Sequence, residues 1–253
     1  AEGFCYRLWP ESQRLDPART PEIAQTELTA LRLELAAWGS SALRFFDAPP
    51  GGAMAAAQEL LQRLGALDDS LRITGLGTRM LALGTHPRLA AMLLSRSDGE
   101  ERALACDLAA LLEARDPLKG YRGDDWAARW QALAAFRTGR APGIANRGAL
   151  AAIDQASQQW RRRLRCEYQP PASAPAHWLG DLLLHAFPER IARQHPGDPR
   201  RYQLANGRMA RIFDDSALFG EPWIVASELR FDARDSQVQR GAPLDETRLR
   251  KDF

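Results

Sequence analysis

Lysine is nearly missing from this chain of 253 residues: Lys119 and Lys251 are the only two, and every other basic residue is arginine. Neither lysine stands in the setting GxxxxGK[ST], so no phosphate is gripped by that loop here. Cysteine is equally sparse. Cys5, Cys106 and Cys166 are odd in number, far apart and never in a CxxC pair. That pattern excludes a disulfide framework and a cysteine metal site, and it reads as reduced structural thiols. His86, His177, His185 and His195 form neither HExxH nor HxH, and no GxSxG elbow occurs. No apolar run is long enough to span a bilayer, and no charged-then-apolar leader is seen. The expected setting is therefore the cytoplasm, with no membrane partner. The acid pairs Asp68-Asp69, Asp124-Asp125 and Asp214-Asp215 fall in turns or at helix starts, where carboxylates cap backbone N–H groups. The chain by itself reads as non-catalytic.

With 45% apolar and 26% charged residues the chain lies in the ordinary globular range, and its length admits two or three modest domains. The net charge is only +2, yet it is unevenly spread. Residues 129–165 hold eight arginines against Asp154 alone, whereas the residues before and after them are balanced or slightly acidic. A concentrated field of that kind suits a polyanionic partner.

Local signals divide the chain. Thr20, Pro21 and Glu22 predict a helix start, with Leu28, Leu31, Leu35 and Trp38 on one apolar stripe that ends at Gly39. FFDAPPGG reads as a rigid loop. A second helix is predicted over 54–64, then two β-like pieces, 66–67 and 71–74, around a polar turn. Helix, helix and small hairpin are the ground plan of a winged helix. Helices are predicted next over 77–83, 87–96, 100–114, 124–138 and 146–166, each marked off by Gly, Pro or Asp. Trp126, Trp130 and Trp160 lie on helical faces and are expected in the core rather than as base-stacking platforms. YQPPASAPA (168–176) reads as a linker. Beyond it a helix over 177–194 precedes the strand-like RYQLANG, RMARIF, EPWIVASELRF and SQVQRGAPL, with Asn206-Gly207 as a hairpin turn. A small barrel or sandwich is expected there, one that the chain need not complete.

TPEIAQTELTALRLELAAWG, FFDAPP, AAQELLQRLGALD and ITGLGTRMLALGTHPRLAAMLL follow one another across residues 20–94. In order and spacing they resemble the helicase-associated region of DEAH-box ATP-dependent RNA helicases. LLEARDPL (111–118), RYQLANGRMARI (201–212) and EPWIVASEL (221–229) resemble, more narrowly, the bacterial members of the HrpB type. The abundance of Arg and Ala fits a GC-rich bacterial genome. GFCYRLW (3–9) is similar to the strand that follows the last arginine-bearing motif of the second RecA-like motor domain. The resemblance implies a multidomain, mainly α chain with a β-rich C-terminal part. Residues 1–15 would be the terminal strand of a motor domain otherwise absent from this chain, and 16–84 a winged helix. Residues 85–166 would form a ratchet-like helical bundle and 167–176 a linker. Residues 177–253 would be an OB-like domain that the family continues further. It also implies that ATP and Mg belong to the motor domains, with no cofactor in this part, which should be inactive as an ATPase alone. Thr85-His86 stand where the family has an acid before PRLA, so that acid's contact does not carry over.

In that family the bundle and the OB-like domain close a channel over single-stranded RNA. Here the arginine-rich segment is where charge puts the strand: Arg129, Arg137, Arg140 and Arg147 along the approach, and Arg161, Arg162, Arg163 and Arg165 at its close. Arg208 and Arg211, beside the Asn206-Gly207 turn, are further candidates on the β domain. Guanidinium pairs with phosphate and also stacks on bases. The helix dipole accounts for one or two cations at a helix C-terminus but not for four. The implied function is to grip single-stranded RNA and couple it, 3′ to 5′, to the motor domains through the winged helix. Two other classes compete. A winged-helix DNA-binding regulator would read bases with 54–64, where Arg63 is the only basic residue. A protein-interaction platform would dock a regulatory protein on 177–253.

Overall fold

The computed structural model describes residues 3–252 apart from 5, 7, 11, 14–18, 40–42, 97–98 and 233. The first helix, α1 (Thr29–Trp38), starts later than Thr20 and Pro21 suggest. Pro21 opens only a 3-10 turn, Glu22–Ala24, and both the N–H and the hydroxyl of Thr26 fold back onto the Glu22 carbonyl and end it. The buried face of α1 runs through Thr29 and Leu33, so Trp38 is left exposed rather than closing the expected stripe. Helix α2 (Gly51–Arg63) packs on α1. A single bridge between Leu67 and Ile73 replaces the hairpin arms. Helix α3 (Gly75–Ala82) follows, its N-cap Thr74 accepting from Gly77 N–H at 3.0 Å.

Four helices form the bundle: α4 (Pro87–Leu94), α5 (Glu100–Glu113), α6 (Trp126–Arg137) and α7 (Arg147–Arg163). Each but α5 begins on a side-chain cap, His86, Asp125 or Asn146, which satisfies backbone donors that a helix start leaves free. The buried Trp126 and Trp130 are core residues as expected, and Trp160 is half-buried. One continuous apolar core runs from Leu33 through the bundle to Leu244.

The helix expected over 177–194 is wrong in its second half. Helix α8 (Ala176–Leu183) ends early, Pro188 opens a short 3-10 turn, and Ile191–His195 form strand β1. Proline lacks the N–H that a continuing helix needs. Strands β2 (Asp198–Leu204), β3 (Met209–Arg211), β4 (Trp223–Arg230) and β5 (Ser236–Pro243) complete a closed barrel in the order β1-β2-β3-β5-β4. The β3–β5 pairing is parallel and the others are antiparallel. Five strands in a closed barrel fit the OB-like expectation, and the barrel closes within this chain. Its interior is a second core around Tyr202, Ile224 and Val238. Helix α9 (Glu246–Asp252) follows.

The strand expected over 3–9 is not formed among its described residues; Cys5 and Arg7 lie outside them. Phe4, Tyr6 and Leu8 are almost wholly exposed. Among the described residues no strand pairs with this segment, and a lone strand has nothing to hold it extended.

Candidate nucleic-acid interface

Of the ten arginines singled out by charge, Arg129 and Arg161 are buried and Arg137 is half-buried. Arg129 is 2% exposed. Its Nε and Nη2 donate to Asp116 Oδ2 at 3.2 and 2.7 Å, and its Nη1 donates to the carbonyls of Gly123 and Asp125. Arg137 donates through Nη1 and Nη2 to both oxygens of Asp107, at 2.8 and 2.7 Å, and through Nε to Asp154 at 2.6 Å. Arg161 is buried at the end of α7 and donates to Gln169 Oε1 at 2.6 Å. These guanidinium groups are engaged with partners inside the chain, Arg129 and Arg137 within the bundle and Arg161 with the segment that follows it, so unlike the other seven they are not freely presented along an RNA path. For Arg129 and Arg137 the reason is physical: Asp116 and Asp107 lie upstream of the arginine-rich segment, so a charge count along the chain does not see them.

The other seven are exposed and fall into three groups. Arg140 and Arg147 sit where α6 hands over to α7, with the Arg147 guanidinium 5.6 Å from the centre of the Phe136 ring. Arg162, Arg163 and Arg165 lie at the other end of α7, about 24 Å away at 1.5 Å per residue. There Arg163 Nη2 donates to the Ala82 carbonyl at 3.2 Å, joining α7 to the end of α3, and its guanidinium lies 5.8 Å from the centre of the Trp160 ring. Arg165 closes α7 in the left-handed region, at φ 53°. That conformation costs a non-glycine residue on the order of 1 kcal/mol. The third group, on the barrel, is Arg208, over the Phe231 ring at 5.5 Å, and Arg211, 3.4 Å from Asp198.

Residues that the sequence did not single out also matter. Arg88, in the PRLA stretch, makes a two-pronged bond to Glu189 at 3.1 and 2.7 Å and donates to the Ala186 carbonyl. It thereby fixes the bundle to the approach of β1. Phe231, Arg230 and Arg234 are exposed at one end of the barrel. Phe231 reads in the linear pattern as the last apolar residue of a strand, and no local signal separates a buried terminal aromatic from one on a rim.

The barrel meets the bundle through polar contacts. Arg240 Nη1 donates to Asp116 Oδ2 at 2.9 Å, Trp126 Nε1 to Ser227 Oγ at 2.7 Å, and Ser216 Oγ to Asp124 Oδ2 at 2.6 Å. A cavity of about 470 Å³ lined by Arg88, Asp116, Trp126, Arg129, Glu228 and Arg240, among others, lies at this joint. Burial alone would push the Asp116 carboxyl up, but the Leu118 N–H and the guanidinium groups of Arg129 and Arg240 hold it below the ordinary 3.8. Glu101 is held low chiefly by the bond from Arg248. A carboxylate whose pKa is lower in the folded state stabilises above its unfolded value and loses that contribution as pH falls through the folded one. Asp124 and Asp181 are shifted the other way, pushed up by burial, and so do not share in this loss. The melting temperature is therefore expected to drop below about pH 4, and to drop less steeply in Asp116→Asn. An acid titration of Tm by circular dichroism checks this; equal slopes would show that the joint is not held by Asp116.

Among the described residues no group of three or more His, Cys, Asp or Glu is placed to hold a metal ion, and no helix is long and apolar enough to cross a membrane.

Comparison with known proteins agrees with this architecture. The family described as "Helicase associated domain (HA2), winged-helix" matches residues 57–84, from within α2 to just beyond α3. In sequence and fold the chain corresponds to the helicase-associated C-terminal region of DEAH-box helicases. Within that class the correspondence is with the HrpB type. The chain is 36% identical over 219 residues to the ATP-dependent RNA helicase HrpB of Escherichia coli K12, a match that covers 85% of this chain and 24% of that protein. It is 37% identical over 99 residues to the pre-mRNA-splicing factor ATP-dependent RNA helicase prp22 of Schizosaccharomyces pombe, covering 37% of this chain and 8% of the relative. The crystal structure of E. coli DExH-box NTPase HrpB superposes with a TM-score of 0.75 at 33% identity, over 94% of this chain and 27% of that one. The chain thus spans about a quarter of the length of the HrpB protein it matches.

Proposed function

We propose that the chain is the accessory region of an ATP-dependent, 3′-to-5′ RNA helicase of the cytoplasm, and that it holds single-stranded RNA while separate motor domains step. The observation that carries this is the exposed group Arg162, Arg163 and Arg165 at the end of α7, placed where α7 meets the winged helix. A cation group at that junction links strand-holding to the element best placed to receive motion. The winged helix supports the other half of the coupling. Trp38, Leu43, Phe45 and Phe46 are exposed on it, beside a cavity of about 530 Å³ lined by Leu35, Leu43, Phe45, Met54 and Ile73 among others. Exposed apolar area of that kind marks a contact surface, and the RecA-like motor domains are its proposed occupant. ATP and Mg would be held by those motor domains and supply the energy of each step; the residues present here grip and position. The DNA-regulator reading is disfavoured, because α2 carries Arg63 as its only basic residue and Arg63 is paired with Glu59 at 2.8 Å.

Left-handed Arg165 gives the reading a test. Glycine there would relieve strain, so backbone conformation alone does not favour arginine at 165. Arg162→Ala, Arg163→Ala and Arg165→Gly combined should lower Tm only slightly, because relief of strain at residue 165 offsets part of the lost Arg163–Ala82 bond and dipole contacts. The same triple variant should lower the log–log salt slope of single-stranded RNA binding by about 2, at about 0.7 per phosphate contact. Fluorescence anisotropy across a salt series reads this out. An unchanged slope and affinity would remove the RNA role of this group.

A further inference from the structure

We infer that one end of the barrel is a stacking ledge for a base of single-stranded RNA, formed by Phe231 and backed by Arg208. This rests on the RNA reading above and adds to it a second holding point with a different chemistry. The topology creates the ledge. Parallel pairing of β3 with β5 brings the β2–β3 turn (205–208) and the β4–β5 connection (231–235) to the same end of the barrel. Phe231 leaves β4 at that end, takes no part in the barrel core and is 63% exposed. An exposed phenylalanine alone would need no explanation. Three further features set this one apart.

The first is the guanidinium of Arg208, 5.5 Å from the ring centre, which backs the ring with positive charge. The second is a hollow of about 470 Å³ at the same end of the barrel, lined by Arg211, Arg230, Asp232, Arg234, Asp235 and Gln237. Arg230 and Asp232 flank Phe231 in the chain, so the hollow opens at the end of the barrel where Phe231 leaves β4. The third is which of those charges are already used. Asp235 takes two bonds from Arg201, at 2.8 and 3.0 Å, and Asp198 takes Arg211 at 3.4 Å. Arg230 and Arg234 are exposed, and among the described residues no carboxylate pairs with either. Two available guanidinium groups next to an open aromatic face make the combination by which single strands are held without sequence preference: cations on the backbone, a ring under a base. Duplex RNA keeps its bases stacked and could not use the ring. An acidic protein segment would use the arginines and leave the ring idle.

Anisotropy of labelled oligouridylate and oligoadenylate with the 253-residue chain tests this. Phe231→Ala should weaken both about tenfold, within the range for losing one stacked base, with the salt slope unchanged. Phe231→Tyr, which keeps the ring, should bind as the unaltered chain does. Arg230→Ala with Arg234→Ala should instead lower the salt slope by about 1.4. Because Phe231 is exposed, all variants should melt together with the unaltered chain. Unchanged binding by Phe231→Ala, with the α7 triple variant weakened, overturns the ledge and leaves the RNA reading standing. No RNA binding by the unaltered chain overturns both. Displacement of RNA by polyglutamate as readily as by unlabelled RNA assigns this end to an acidic protein and overturns the ledge.

Discussion

Arg137→Ala is expected to cost the fold about 3–5 kcal/mol, the range for removing one partner of a buried ion pair. Asp107 has no exposure at all, and its carboxylate accepts from Trp130 Nε1, from Ser157 Oγ and from two nitrogens of Arg137. The two neutral donors that would remain cannot replace the opposite charge. Asp154, bonded to Arg137 Nε, would lose its partner as well. The loss acts on three helices together, because Asp107 is on α5, Arg137 on α6, and Asp154 and Ser157 on α7. Replacing Arg137 by Met and Asp107 by Leu together should recover much of the stability, since a well-packed apolar pair often matches a buried ion pair. Urea unfolding followed by circular dichroism measures all three proteins. If Arg137 were instead an RNA ligand on the surface, its removal would change stability by no more than about 0.5 kcal/mol and would weaken RNA binding. That outcome would restore the sequence-based placement.

Arg137 also shows where the linear sequence stops being informative. The helical part was legible because its signals are local. Asp125 and Asn146 each sit one residue before the helix they cap, and Trp126 and Trp130 are four residues apart on one turn-related face. The arginines were harder, because what decides between interior and surface is a partner far along the chain. Arg137 lies 30 residues from Asp107, and Arg240 lies 124 residues from Asp116. Charge counting over a window treats such pairs as unrelated. Strand β1 failed for another reason. Its two buried residues, Ile191 and Ala192, are adjacent, so it lacks the alternation that marks a half-buried strand. The apolar run of α8 just before it then carried the helix signal too far. Trp38 and Phe231 share a third failing: periodicity says which face of an element is apolar, but not whether anything covers its last residue.

Gly180→Ala is expected to destabilise by about 3 kcal/mol or more, against the sign that helix propensity alone would give. Within a helix, alanine is ordinarily favoured over glycine by about 1 kcal/mol. At Gly180, however, a Cβ would stand 1.9 Å from the Pro243 carbonyl oxygen and 2.8 Å from its carbon. Both are backbone atoms, so no side-chain rotation can relieve the overlap. The strand end cannot give way cheaply, for Leu244 N–H donates to the Trp223 carbonyl and Asp245 N–H donates to Asp181 of α8 itself. Helix α8 would have to back away from β5, opening the apolar joint in which Leu179, Leu182 and Leu183 are buried. A loss of that size lowers Tm by roughly 6–12 °C in a chain of this length. Gly148→Ala is the matched comparison. It too is a helical glycine, but its Cβ would meet only Asn146 Oδ1, at 3.5 Å, and the site is exposed. There propensity should win and Tm should rise. Opposite signs at two helical glycines would show that contact with β5, not helix formation, sets the residue at 180. If both substitutions raise Tm, α8 does not press on the barrel as closely as described. Should Gly180→Ala also weaken RNA binding while α7 stays helical, the grip depends on the barrel being held against the bundle. That is the relation required if the end of α7 and the Phe231 ledge hold one strand.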